Sequence, residues 1–151
     1  MALKLKRGIK ELVAEANAEI ETLTAAQAIV LMDDSDTVLV DLRDIRELER
    51  EGYIPQAFHA PRGMLEFWVD PESPYHKEIF GSGKRFVFFC AGGLRSALAA
   101  HTVQRMGLEP VCHIEGGFRA WKEAGGPVEQ HPGREKSSGQ HVKRPPPKDA
   151  R

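Results

Sequence analysis

The chain has 151 residues, a mass of 16.8 kDa and a formal net charge of -1, enough for one sizeable core and too little for two. Its two cysteines, Cys90 and Cys112, exclude a disulfide-rich scaffold and a four-cysteine zinc site. The near-neutral balance argues against a dedicated nucleic-acid binder, and no stretch approaches the roughly 18 to 20 apolar residues of a membrane span.

In chain order, residues 1–10 are basic but lead into no apolar run of signal-peptide length. Glu11, Glu15, Glu19 and Glu21 are out of keeping with a transit peptide, so the expected setting is a reducing cytoplasm. Leu5, Ile9, Leu12, Val13, Ala16 and Ile20 fall at helical spacing, predicting an amphipathic helix within residues 1–19. Its stripe packs on the host domain or docks a partner. Thr22 or Thr24 caps a short helix over 25–32. Residues 37–40 form a short apolar, β-branched strand ending at Asp41. A helix over 45–51 stops at Gly52, a short strand spans 57–60, a helical turn 64–69 and a loop 70–74.

The strongest strand is 85–90, where Phe86-Val87-Phe88-Phe89 shows no polar alternation, as expected of a central strand covered on both faces. An Ala-rich helix over 94–106, a strand over 111–114 and a helix over 118–124 follow. This alternation predicts an α/β domain with a parallel sheet over residues 20–130. Residues 131–151 are a basic, Pro-rich tail. From Pro132 onward it holds six basic and two acidic residues, so its +4 leaves -5 for the rest. It is expected to be disordered, because it cannot bury enough apolar surface to offset its ordering entropy.

The informative feature is Cys90-Ala91-Gly92-Gly93-Leu94-Arg95-Ser96, between the buried strand and the Ala-rich helix. In open α/β sheets, ligands bind outside the carboxyl ends of strands. A cysteine there faces a helix N-terminus, paired glycines let backbone N–H groups turn inward, and Arg95 adds a fixed positive charge. Such surroundings lower a thiol from about 8.5, so the expected species is a thiolate cradled by backbone donors. Cys112 lies in an apolar strand and reads as core. Four residues separate Cys90 from Arg95, whereas loops that wrap a phosphate have five. The shorter ring suits one extra sulfur on the cysteine.

Three separated motifs resemble the single-domain rhodanese-like family. The loop is similar to its C-x-x-G-x-R-S. Asp41-Leu42-Arg43 with Glu47, then residues 52–61, are similar to its D-x-R-x-x-x-E and G-H-I-P-G-A motifs. Residues 115–128 are similar to its G-G-x-x-A-W-x-x-A-G-x-P-V. The resemblance spans residues 20–130 and implies a small, open, mostly parallel sheet flanked by helices on both faces. Tyr53 and Gln56 stand where His and Gly are usual, with small consequences expected. Ala91 replaces a basic residue that many members carry, which weakens the electrostatic case for thiosulfate as donor. The segment 64–82 is longer than the family minimum, and its Phe67 and Trp68 are core, lid or pocket-wall candidates.

The resemblance implies a rhodanese-type sulfurtransferase of the thiosulfate:cyanide kind. Cys90 is the nucleophile, the backbone N–H groups of Ala91, Gly92, Gly93, Leu94 and Ser96 hold the persulfide, and Arg95 either stabilises the anions or pairs with a carboxylate to brace the loop. Asp41 orients the site. Arg43 is structural, with Glu47 as its candidate partner. His59, His101 and His113 are structural or surface residues, since no spacing pairs them with Cys90. No metal or organic cofactor is expected. Partners are a small sulfur donor, a thiol acceptor and, as an option, a protein sulfur acceptor; nucleic acid and membrane are not expected. The rivals are a persulfide carrier or regulatory binding module and, less favoured, a phosphatase or arsenate reductase.

Overall fold

The computed structural model describes residues 2–132. The expected disorder of the tail falls on residues outside that range, from 133 on. Helix α1 (Ile9–Glu19) begins at Gly8, whose N–H donates to Glu11 Oε1 at 3.0 Å. Only one flank of its apolar stripe is covered: Val13, Ala16 and Ile20 join the core, whereas Leu5, Ile9 and Leu12 stay exposed. A strand that the periodicity did not predict follows, β1 (Glu21–Leu23); three residues with one buried show no alternation. Thr24, not Thr22, caps α2 (Ala25–Val30), accepting from Gln27 N at 3.2 Å while Gln27 Oε1 accepts from Thr24 N at 2.9 Å.

The next elements are β2 (Thr37–Asp41), α3 (Ile45–Glu51) and β3 (Phe58–His59). Helix α3 carries an Asp44–Glu47 capping box and stops at Gly52, where φ is +92° and a Cβ would run into Val128 and Glu129. After α4 (Leu65–Val69) and a 3-10 turn over Glu78–Gly81 come β4 (Arg85–Phe89), α5 (Leu94–Met106), β5 (Val111–Ile114) and α6 (Gly117–Glu123).

The five strands form one parallel sheet in the order β1-β5-β4-β2-β3. The Phe-rich β4 is therefore central, and Phe86 to Phe89 are all fully buried. Alternation sends Phe86 and Phe88 towards α1, α4 and α5, and Val87 and Phe89 towards α2 and α6. Each large side chain so buried contributes roughly 1.5–3 kcal/mol, which makes β4 the anchor for the loop at its carboxyl end. Burial on both faces follows from helices lying on both sides of an all-parallel sheet.

Of the substituted family positions, Tyr53 and Gln56 are structural. Tyr53 makes an antiparallel bridge with Glu129, and its hydroxyl donates to Glu129 Oε1 at 2.9 Å. Gln56 keeps the left-handed backbone, φ +74°, that a glycine would take without strain. His131 is buried edge-on to Tyr53. Among the described residues, no helix is long and apolar enough to cross a membrane.

Candidate active site

Cys90 is the first residue after β4, and its side chain is buried beneath the turn that opens α5. The N-cap of α5 is Gly93, which has no side chain to satisfy the first helical amides. The Cys90 sulfur takes that place: Gly93 N donates to Sγ at 3.2 Å and Ser96 N, in the first turn, donates at 3.3 Å. The helix dipole and both donors favour negative charge on that sulfur. Of the paired glycines, only Gly93 is conformationally required. Its φ is +107°, and a Cβ would press on the Gly116 nitrogen, whereas Gly92 is unhindered. Gly92 and Leu94 lie exposed at the rim. Arg95 is half-buried, and Ser96 is fully buried.

The second glycine pair supports the loop from below. Phe118 N donates to Cys90 O at 2.7 Å and Arg119 N to Ala91 O at 3.2 Å. This close approach leaves no room for a Cβ on Gly117, which would collide with the Cys90 carbonyl, and both Gly116 and Gly117 have positive φ. Motif similarity alone had singled these residues out; packing against the cysteine loop is the physical reason for them.

Two ion pairs flank the loop. Arg95 donates to both Glu47 oxygens, at 2.9 and 3.0 Å, tying the first turn of α5 to α3. The bracing contact is formed, and Arg95 also lies close enough to Cys90 to interact with it. The Arg95 hydrogen bonds hold the Glu47 carboxyl below the usual range; the same bonds, then Coulombic attraction to Glu47 and the proximity of Cys90, raise Arg95. The expected Arg43–Glu47 pair is not present. Arg43 instead makes two bonds to Asp41, at 3.0 and 2.8 Å, and a third to Gly52 O at 3.0 Å. Asp41 and Arg43 are two residues apart at the end of β2, so the buried carboxylate is satisfied locally and Glu47 is left to Arg95. Arg43 lies 3.9 Å over the Phe118 ring, and its Nη1 has no hydrogen-bond partner. The ring face offsets part of that deficit.

A third network was not legible in the sequence. Ser96 Oγ lies 3.7 Å from Cys90 Sγ and 2.9 Å from His113 Nδ1, and His113 Nε2 lies 2.9 Å from Asn17 Oδ1. His113 is buried and linked to Cys90 only through Ser96, a link that spacing along the chain does not show: β5 alternation turns His113 to the α1–α5 face while Cys112 points to the other. Asn17, a polar residue beside the Val13–Ala16–Ile20 stripe, was the available signal. His101 meets Glu19 at 2.6 Å, and His59 meets the Arg43 carbonyl at 2.7 Å. Cys112 is fully buried, and burial pushes its thiol up to about 12. Trp68 packs edge-on to Phe58, while the exposed Phe67 meets Tyr75.

Residues 24–124 match the Rhodanese-like domain. The chain belongs to the rhodanese-like family. A solved Rhodopseudomonas palustris protein of unknown function, described as a possible tyrosine phosphatase, is 62% identical with a TM-score of 0.83, over 85% of this chain and 99% of its own. The polysulfide-sulfur transferase homodimer of Wolinella succinogenes is 31% identical with a TM-score of 0.62, over 81% of this chain and 87% of its own. The tRNA uridine(34) hydroxylase of Cronobacter sakazakii is 32% identical over 80% of this chain but only 35% of its own length. This rhodanese-like chain thus spans about a third of the curated hydroxylases it matches.

Proposed function

We propose that this rhodanese-like protein is a sulfurtransferase that carries sulfane sulfur as a persulfide on Cys90. The Cys90 thiolate attacks the outer sulfur of a donor such as thiosulfate. A Cys–S–S bond forms, the donor S–S bond breaks, and sulfite leaves with the electron pair. An acceptor thiolate then attacks the outer sulfur of the persulfide and regenerates the Cys90 thiolate; cyanide is the assay acceptor. The observation that carries the reading is the paired donation of Gly93 N and Ser96 N to Sγ at the start of α5. The same amides suit a sulfur anion one atom further out, with the other loop N–H groups as further donors. Asp41 and Arg43 support the site by holding the end of β2 and the Phe118 ring.

Mass spectrometry after thiosulfate or polysulfide treatment tests this directly. One added sulfur is expected on the native chain and on Cys112→Ala, and none on Cys90→Ser. An unchanged mass with every donor tried removes the proposal. The phosphatase reading has a specific support in the description of the 62% identical relative. Against it stand the four-residue spacing and the engagement of Arg95 by Glu47. Cys90-dependent turnover of p-nitrophenyl phosphate would reverse the ranking.

A further inference from the structure

The Asn17–His113–Ser96 chain ends on the sulfur and joins the α5–β5 unit to the distant α1. Its inner members are shut off from water: Ser96 is fully buried and His113 is 3% exposed, while Asn17 lies at the surface. Cys90 itself is 1% exposed, and the hydroxyl beside its sulfur is that of Ser96.

The hydrogen-bond directions follow from the groups. With the Asn17 amide oxygen toward the ring, Nε2 carries the hydrogen and Nδ1 is an acceptor. Ser96 then donates to Nδ1, and its free lone pair accepts the Cys90 S–H. When the sulfur is an anion that accepts from the Ser96 hydroxyl as well as from the two backbone amides, every bond of the chain reverses. Ser96 donates to sulfur, Nδ1–H donates to Ser96, and Nε2 becomes an acceptor, which needs the Asn17 amide turned to present its NH2. An asparagine serves both states; a carboxylate serves only the first.

We propose that Asn17 and His113 are positioning residues that couple the charge on the Cys90 sulfur to the tautomer of His113, through Ser96. The step balances as one proton lost. The thiol proton passes to Ser96, the Ser96 proton passes to Nδ1, and the Nε2 proton leaves to water at the exposed Asn17 end. The ring is neutral before and after. Burial pushes His113 down to about 4, consistent with a ring that changes tautomer without accumulating charge.

The charged groups around this chain are common to all variants. Arg95 on α5 lies beside Cys90, backed by Glu47 of α3. The His101–Glu19 pair closes the α1–α5 seam, and the Asp41–Arg43 pair ends the neighbouring β2. On the sheet, His113 is flanked by the uncharged Phe88 and Thr22.

The proposal rests on the sulfur-transfer reading only in making the sulfur anion the working form, so its test uses no sulfur donor. Iodoacetamide alkylation of Cys90 is followed against pH in a Cys112→Ala background. Asn17→Asp, which locks hydrogen on Nε2, is expected to raise the alkylation midpoint by about 1 pH unit and slow the rate at pH 7 about tenfold. Asn17→Gln, which can present either face of an amide to Nε2, is expected to stay closer to the parent than Asn17→Asp. The Asn17→Asp shift is expected to vanish when Ser96→Ala or His113→Leu cuts the chain, with thermal melts confirming the fold. Nitrogen-15 NMR is expected to show His113 as the Nε2–H tautomer below the sulfur midpoint and Nδ1–H above it. Persistence of the Asn17→Asp shift in the cut backgrounds marks a simple charge effect and overturns the proposal, as does an unchanged tautomer. Normal alkylation behaviour without any persulfide under sulfur donors would instead count against the sulfurtransferase reading alone.

Discussion

Cys90, just past the end of β4, and Cys112, within the neighbouring β5, are both buried, yet their surroundings differ in kind. Cys112 sits in the middle of β5 on the α2–α6 face, among Leu23, Val87 and Trp121. Its polar neighbour is the Phe86 carbonyl, 3.9 Å away, an acceptor that suits the protonated thiol. Cys90 sits past the end of β4, where the sheet hydrogen bonds stop and a helix begins, and it receives two N–H donors. Burial alone holds a thiol protonated and inert. Burial beside oriented donors supplies the one environment in a core that welcomes a sulfur anion. The position along the strand, not the depth, separates the two.

The largest expected effect is on chemistry. Cys90→Ser is expected to reduce sulfur transfer to background in a cyanide assay, whereas Cys112→Ala leaves the rate within about twofold. Loss of activity in Cys112→Ala with a native fold would break the contrast.

Next come the supports of the Cys90 loop. Arg43→Met leaves the Asp41 carboxylate buried without its partner and is expected to destabilise the fold by about 3–5 kcal/mol in urea unfolding. Gly117→Ala places a Cβ against the Cys90 carbonyl at a left-handed φ. It is expected to lower stability by at least about 2 kcal/mol and transfer along with it. Gly92→Ala, at an unhindered position, is expected to change stability by under about 0.5 kcal/mol. Equal losses from the two glycines would show that the Gly117 contact does not hold the loop.

The smallest effect belongs to the outer brace. The Arg95–Glu47 pair is partly exposed, so Glu47→Gln is expected to remove under about 1 kcal/mol at pH 7. The folded-state Glu47 carboxyl is depressed by Arg95. Its stabilisation is therefore present above the unfolded value, and is lost as pH falls through the ordinary glutamate range near 4.5 and past the lowered folded value. Thermal melts between pH 7 and pH 3 are expected to show a steeper acid decline in the parent than in Glu47→Gln. Parallel curves would detach the pair from stability.

Much of this was readable without coordinates, because it rests on local rules. The run Phe86 to Phe89 has no polar side and must be covered twice. Gly52 and Gly107 stop helices at positive φ, and the cysteine–glycine–arginine spacing sits at a strand-to-helix junction. Such signals are carried by neighbours in the chain. Strand β1 escaped because three residues at a sheet edge have no period to show. The partner of Arg43 was misassigned because a local bidentate pair and a helical-spacing pair look equally available in one dimension.

What the residues determined by themselves was the order of every element but β1, the glycine-rich loop at the strand-to-helix junction and the division between a cysteine at that junction and a cysteine in the core. Only the tertiary structure decided who completes the site. Asn17 and His113 lie 96 residues apart, and Gly117 meets Cys90 across the sheet end. Hydrogen bonds and close packing depend on distance in space, and a pattern along the chain carries that distance only within a turn of helix or a pleat of strand.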